Sequence, residues 1–217
     1  MKRSTVVIFV ILLVLIIDQA LKIWIKTNFN YGEEIFLFGQ DWARLHFVEN
    51  NGMAFGIEFG KEWGKLLLSL FRIVAVGFLG YYIGVLIKEG ARYGLLVSFA
   101  LILAGAMGNI IDSAFYGVIF SESPYHGGLA QMFPEGGGYG KFLYGKVVDM
   151  FYFPLVQGTY PEWFPMWAGE RFLFFKPVFN VADSAITLGV VNIILFQRSF
   201  FKTEEKGDII DQIENAP

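Results

Sequence analysis

The sequence predicts a mainly α-helical integral membrane protein, a four-transmembrane-helix bundle with a small extracytoplasmic β-sheet and long extracytoplasmic loops. Three observations predict it. Of 217 residues, 55% are hydrophobic and only 17% are charged, where an ordinary soluble domain carries about 25% charged residues. The apolar residues gather into four runs, each able to supply the roughly 20 helical residues that a bilayer needs. Between the first two runs, short β-prone stretches are broken by Gly39 and Asn51-Gly52. Asn-Gly tolerates the positive φ values of a tight hairpin turn, so a small sheet is expected there.

The four spans run from about Thr5 to Ile25, Lys65 to Ile87, Tyr93 to Asp112 and Phe179 to Phe196. Lys2 and Arg3 before Val6 to Ile17 imitate a signal peptide. Asp18-Gln19-Ala20 is a poor small-x-small cleavage site, however, and apolar residues resume at Leu21, so a retained helix is expected. Lys2 and Arg3, Lys88 and Arg92, and Arg198, Lys202 and Lys206 flank the spans on one side, which should face the cytoplasm together with both termini. Lys26, Lys61 and Lys65 weigh against that bias.

The outer side then receives two long segments, about Thr27 to Gly64 and Ser113 to Pro177. In the second, Trp163, Trp167 and neighbouring phenylalanines suit the headgroup zone, where amphipathic rings collect. Residues 1–202 are read as a single membrane domain. The acidic stretch from Thr203 onward lacks aromatics and is expected to be a disordered cytoplasmic tail.

Acids at membrane depth need a reason, because each costs about 2.5–3.5 kcal/mol to insert. Asp18 and Lys22 sit at i, i+4 and can pair along one helix face. Asn109 and Asp112 share a face at the end of the third span, where Gly105, Ala106 and Gly108 would let another helix approach. Asn180 and Asp183 have the spacing of a capping box, which alone would explain them. Asp149 has no such explanation. It stands in the extended run "GKVVDMFYFP", and the topology brings it to the same outer level as Asp18, Asp112 and Asp183. Four acids at one depth exceed what capping requires.

Several chemistries are excluded by inventory. Cysteine is absent, His46 and His126 lack ligand spacing, and neither H-E-x-x-H nor G-x-S-x-G occurs. No metal or cofactor is therefore expected. No basic cluster suggests a nucleic-acid partner. Paired carboxylates remain: one ionised acid can take a proton from water while its protonated partner polarises a carbonyl. On these residues alone, a protease and a small proton-coupled transporter or channel subunit using the acids as relay sites both stay open. A lipid-binding or assembly protein whose acids only cap helices is a third reading.

The motifs "DQALK" (Asp18 to Lys22), "NNGMAFG" (Asn50 to Gly56), "GAMGNIID" (Gly105 to Asp112), "VVDM" (Val147 to Met150) and "FNVADSAI" (Phe179 to Ile186) decide between them. In this order and in register with the spans, they resemble the lipoprotein signal peptidase (signal peptidase II) family, from about Thr5 to Phe196. The resemblance implies a bacterial inner-membrane aspartyl endopeptidase that removes signal peptides from prolipoproteins, cutting before the diacylglyceryl-modified cysteine. It also implies an outer β-sheet cradle and a flexible loop over the site. Substrate and membrane lipids are the implied partners; oligomeric state is left open. Carried onto this sequence, the catalytic pair is Asp149 and Asp183, and the supporting residues are Asp18, Lys22, Asn50, Gly52, Asn109, Asp112 and Asn180. One departure stands out. The family usually has Arg after the "GNxxD" aspartate, where this chain has Ser113. Lys146 and Arg171 are candidates to replace that cation. The outer segments Ala114 to Gly145 and Leu155 to Lys176 look longer than usual and are expected to elaborate the lid or the substrate surface.

Overall fold

The computed structural model describes residues 1–51, 61–174 and 177–197. Gly52, expected from the sequence to share a turn with Asn51, lies outside them, as do Arg198, Lys202, Lys206 and the acidic tail.

Each of the four apolar runs is helical. Helices α1 (Arg3–Asn28), α2 (Lys61–Lys88) and α3 (Tyr93–Ile111) are long. At 1.5 Å per residue, α1 reaches about 39 Å, more than the roughly 30 Å of hydrocarbon in a bilayer. Beyond Ile111 the chain keeps winding through a π-helical turn, Asp112–Tyr116, and a last turn, α4 (Gly117–Ile119). The fourth run forms α5 (Val181–Phe196), at 16 residues the shortest of the four. Outward-facing Ile8, Leu12 and Ile16 on α1 and Leu67, Phe71, Val74 and Phe78 on α2 are exposed apolar side chains, the surface expected of helices bathed in lipid.

Arg3 Nε donates to Ala91 O at 3.0 Å, and Tyr93 Oη donates to Met1 O at 2.9 Å. The start of α1 and the α2–α3 connection therefore share one end of the bundle. The sheet lies at the other end. Its strands β1 (Glu34–Phe36), β2 (Arg44–Asn50), β3 (Val147–Tyr152) and β6 (Val178–Phe179) are antiparallel, in the order β1-β2-β3-β6. Two registers matter for the site. Asn50 pairs with Val147 and Val48 with Asp149, and Phe151 pairs with Phe179. Strand β6 thus delivers Asn180 and the start of α5 alongside Asp149.

Two apolar cores flank this polar level. One, toward the Arg3 end, joins Val7, Ile83, Leu86, Leu96, Ala100, Leu103 and Ile193. The other, beneath the sheet, joins Ile25, Phe29, Phe47, Tyr116, Phe120, Val148 and Met150. Helices α3 and α5 meet closely because glycine removes the side chain at the crossing, where a Cβ on Gly105 would stand 2.2 Å from Ala182 O; Gly108 likewise admits Asp18 of α1, whose Oδ2 would stand 2.7 Å from a Cβ there. Ala106, grouped with these glycines on sequence grounds, is only half-buried.

The first outer insertion is an ordered layer pinned to the end of α3. Leu143 N donates to Ala114 O (3.2 Å), Gly145 N to Ser113 O (2.8 Å) and Gly140 N to Gly117 O (2.8 Å). The second is a hairpin of β4 (Val156–Thr159) and β5 (Arg171–Phe174). Tyr160, Phe164 and Trp167 stack at its tip, with ring centroids 5.0–5.9 Å apart.

Candidate active site

Asp149 occupies the middle of β3, where strand alternation turns it inward, and it is 3% exposed. Asn180 Nδ2 donates to its Oδ1 at 2.7 Å, and Asn50 Nδ2 donates to its Oδ2. Burial, and then the neighbouring charge of Asp183, push the Asp149 carboxyl up to a pKa of about 7; Lys22 and the two amides pull the other way.

Asp183 is the third residue of α5. Asn180 Oδ1 accepts from Asp183 N at 2.9 Å, and Asp183 Oδ2 accepts from Asn180 N at 3.3 Å. The capping box that the spacing suggested is therefore formed. Capping is not its sole contact, because Asn109 Nδ2 donates to Asp183 Oδ1 at 2.9 Å. The two amides also touch: Asn180 Nδ2 lies 3.2 Å from Asn109 Oδ1. Asp149 and Asp183 are thus tied together through Asn180 and Asn109.

One layer deeper, Asp18, Lys22 and Asp112 are completely buried. Lys22 Nζ stands 2.9 Å from both Asp18 Oδ2 and Asp112 Oδ2, and donates to Asn109 Oδ1 at 2.9 Å. The i, i+4 pair read from the sequence is present, but Lys22 serves two acids rather than one. Asp18 has a second task, since its Oδ1 accepts the Ala182 backbone N–H at 2.9 Å and so caps α5 from outside. Asp112 Oδ2 accepts from Val148 N at 3.3 Å, joining the end of α3 to the strand that carries Asp149. The π turn begins at this residue, and such turns recur where a helix re-aims side chains.

Eight of the nine residues singled out by sequence therefore converge; Gly52 is outside the described residues. Sequence reading missed Gln19. Its Nε2 contacts Asp112 Oδ1 (2.9 Å) and Asp18 Oδ2 (3.1 Å), and its Oε1 accepts from Tyr116 Oη at 3.2 Å. The available signal was an amide at membrane depth directly beside an acid. Neither suggested substitute for the arginine is placed to serve. Lys146 Nζ pairs with Glu122 at 3.3 Å, and Arg171 is exposed on β5. Ser113 itself bonds back to Asn109 O at 3.0 Å. Among the described residues no His, Asp and Glu side chains converge as a metal-ligand set.

Buried acids held by amides, one of them protonatable near neutral pH, can perform general acid–base chemistry on water. Similarity narrows the choice. Residues 10–200 match the family described as Signal peptidase (SPase) II. The chain is 51% identical over 194 residues to a lipoprotein signal peptidase of Porphyromonas gingivalis, covering 89% of this chain and 83% of that protein. It is 41% identical over 191 residues to one of Amoebophilus asiaticus, covering 87% and 75%. A solved bacterial membrane enzyme superposes with a TM-score of 0.55 at 22% identity, covering 92% of this chain and 90% of that one, which shows a shared fold. These matches disfavour the transporter reading. The chain belongs to the signal peptidase II family, the lipoprotein signal peptidases, and is a membrane-embedded peptidase.

Proposed function

We propose that this chain cleaves diacylglyceryl-modified prolipoproteins just before the lipidated cysteine, with Asp149 and Asp183 activating the attacking water. The observation that carries the reading is the amide-linked pair itself: Asp149, buried and held near pKa 7, bridged by Asn180 to the cap of Asp183. Up to about pH 7, Asp149 is the proton holder of the pair. Asp183, at a helix N-terminus and receiving the Asn109 amide, is the partner assigned to take the first proton from water.

The cycle balances without a further reagent. Ionised Asp183 takes a proton from water as the oxygen adds to the scissile carbonyl carbon. The carbonyl oxygen takes the proton of Asp149, and a neutral gem-diol forms. Asp183 then passes its proton to the amide nitrogen while Asp149 recovers one from a gem-diol hydroxyl. The C–N bond breaks and the singly protonated pair is restored. The roles of such a coupled pair are shared across the cycle. Asn50, Asn109 and Asn180 orient the acids, because a low-dielectric site penalises any polar group left unpaired.

The sheet end of the bundle, with the acids at its base, faces the outer leaflet, and the Arg3 end faces the cytoplasm, the side favoured by Lys2, Arg3, Lys88 and Arg92. A substrate helix enters from the bilayer with its acyl chains remaining in lipid. Cleavage of a lipobox peptide with and without the diacylglyceryl group, by purified protein in lipid, tests the substrate class. The lipidated peptide should be cut before cysteine; equal cleavage of the unlipidated peptide contradicts the proposal.

A further inference from the structure

Helix α2 carries three polar residues on one stripe, Lys65, Ser69 and Arg72, at i, i+4 and i+7. Its opposite side is apolar and exposed, with Leu67, Phe71, Val74 and Phe78. Two contacts fix which way the stripe points. Lys65 Nζ donates to Asn51 Oδ1 at 3.1 Å, immediately after the strand residue that touches Asp149. Ser69 Oγ lies 3.4 Å from Leu143 O, in the layer pinned to the end of α3. Arg72 is the next residue on that stripe, about 4.5 Å deeper along the axis. That is the direction in which the bundle lies: burial works against the charge of the half-buried guanidinium, and Asp183, then Asp112, lie within electrostatic reach to favour it.

The charge count at this level gives the contact a purpose. Four acids, Asp18, Asp112, Asp149 and Asp183, meet at the helix ends, and Lys22 is bonded to Asp18 and Asp112. Among the described residues, one proton on the Asp149–Asp183 pair and one charge on Lys22 leave two negative charges to be offset in a poorly solvated site, a costly arrangement. A second cation halves that excess. Ser113 offers no charge, and Lys146 is engaged with Glu122.

We propose that Arg72 is a positioning residue of the proposed hydrolysis: reaching from α2, its fixed positive charge offsets the surplus negative charge around the Asp149–Asp183 pair. The inference rests on the two-aspartate reading. Among the described residues, the charges around Asp183 are Asp149 on β3, Asp112 on α3, Asp18 and Lys22 on α1 and Arg72 on α2, so Arg72 is the member that a substitution on the lipid-flanked helix removes without touching the amide links.

The test compares Arg72→Gln and Arg72→Lys with wild type in the lipopeptide assay across pH, with Asp149→Asn and Asp183→Asn beside them. Arg72→Gln should lower kcat roughly 10–100-fold with KM changed by less than about threefold, and should move the acidic limb of the kcat profile to higher pH. Arg72→Lys should recover most of the kcat and the position of that limb. A role in helix packing alone would lower thermal stability in both variants while leaving the limb and the balance of kcat against KM in place, and that result overturns the proposal. If the Gln variant does not fold, Arg72→His replaces it. Its kcat should fall as pH rises through the imidazole range, near pH 6–7, and a profile without that descent overturns the proposal equally. Activity surviving in Asp149→Asn or Asp183→Asn would instead remove the two-aspartate reading; inactive aspartate variants with a wild-type-like Arg72→Gln would remove Arg72 alone.

Discussion

Asn180 Nδ2 donates to Asp149 Oδ1 at 2.7 Å, while Asn180 Oδ1 accepts the backbone N–H of Asp183 at 2.9 Å. A helix cap and a strand acid therefore share one amide, and neither can rotate without disturbing the other. The two functions of this amide are separable by substitution. Asn180→Ser keeps an acceptor for the cap and loses the donor to Asp149. It should cost little stability but lower kcat by about 10–100-fold. Asn180→Ala loses both and should also destabilise by about 1–2 kcal/mol. Thermal unfolding and single-turnover kinetics of the two variants would show whether stability and rate separate in this way.

Asp149 links stability to pH. Its folded pKa, about 7, lies above the unfolded carboxylate value of 3.8. Between those values the folded chain holds a proton that the unfolded chain has released, so stability falls as pH rises through the window and levels off above it. Wild type should lose thermal stability between about pH 4 and pH 7, by an amount on the order of a few kcal/mol. Asp149→Asn should flatten that dependence. Equal slopes in the two proteins would mean that the burial of Asp149 is not what governs it.

Lys22 stands between two buried carboxylates and cannot be removed singly without stranding both. Lys22→Met should cost about 3–5 kcal/mol, visible as lost folded yield in detergent. Asp18→Ala frees part of Lys22 and the cap at Ala182, so it should lower stability more than turnover per folded molecule. A large fall in turnover with unchanged stability would reverse that ranking.

Close approach at Gly105 gives a steric prediction. A Cβ there would stand 2.2 Å from Ala182 O, so α5 must shift to admit even alanine. Since Ala182 directly precedes Asp183, Gly105→Ala should reduce both folded yield and activity. Gly77→Ala on α2, where a Cβ meets nothing within 4 Å, is the control and should leave both intact.

Much of this site was legible in the sequence because polar groups at membrane depth are expensive and so stand out. Asp18, Lys22, Asn109, Asp112, Asn180 and Asp183 sit at the ends of apolar runs whose helical period places them on inward faces. Asp149 was legible as an acid in a strand-like run. Gln19 was not, because beside Asp18 its amide read as part of a failed cleavage site; only the fold reveals that it spans two acids. Arg72 was hidden inside an apolar helix, and its meaning depends on how α2 is rotated, which Asn51 and Leu143 set through non-local contacts. Lys146 looked free for the same reason: its partner Glu122 is 24 residues away in a glycine-rich layer with no periodicity to predict its path.

The most direct measurement is single-turnover cleavage of a diacylglyceryl lipobox peptide by wild type, Asp149→Asn and Asp183→Asn, each first shown to be folded. The account predicts that both substitutions abolish cleavage, by at least about 1,000-fold, because each removes one of the two proton carriers in a cycle that uses both. Near-wild-type cleavage by either folded variant would contradict it.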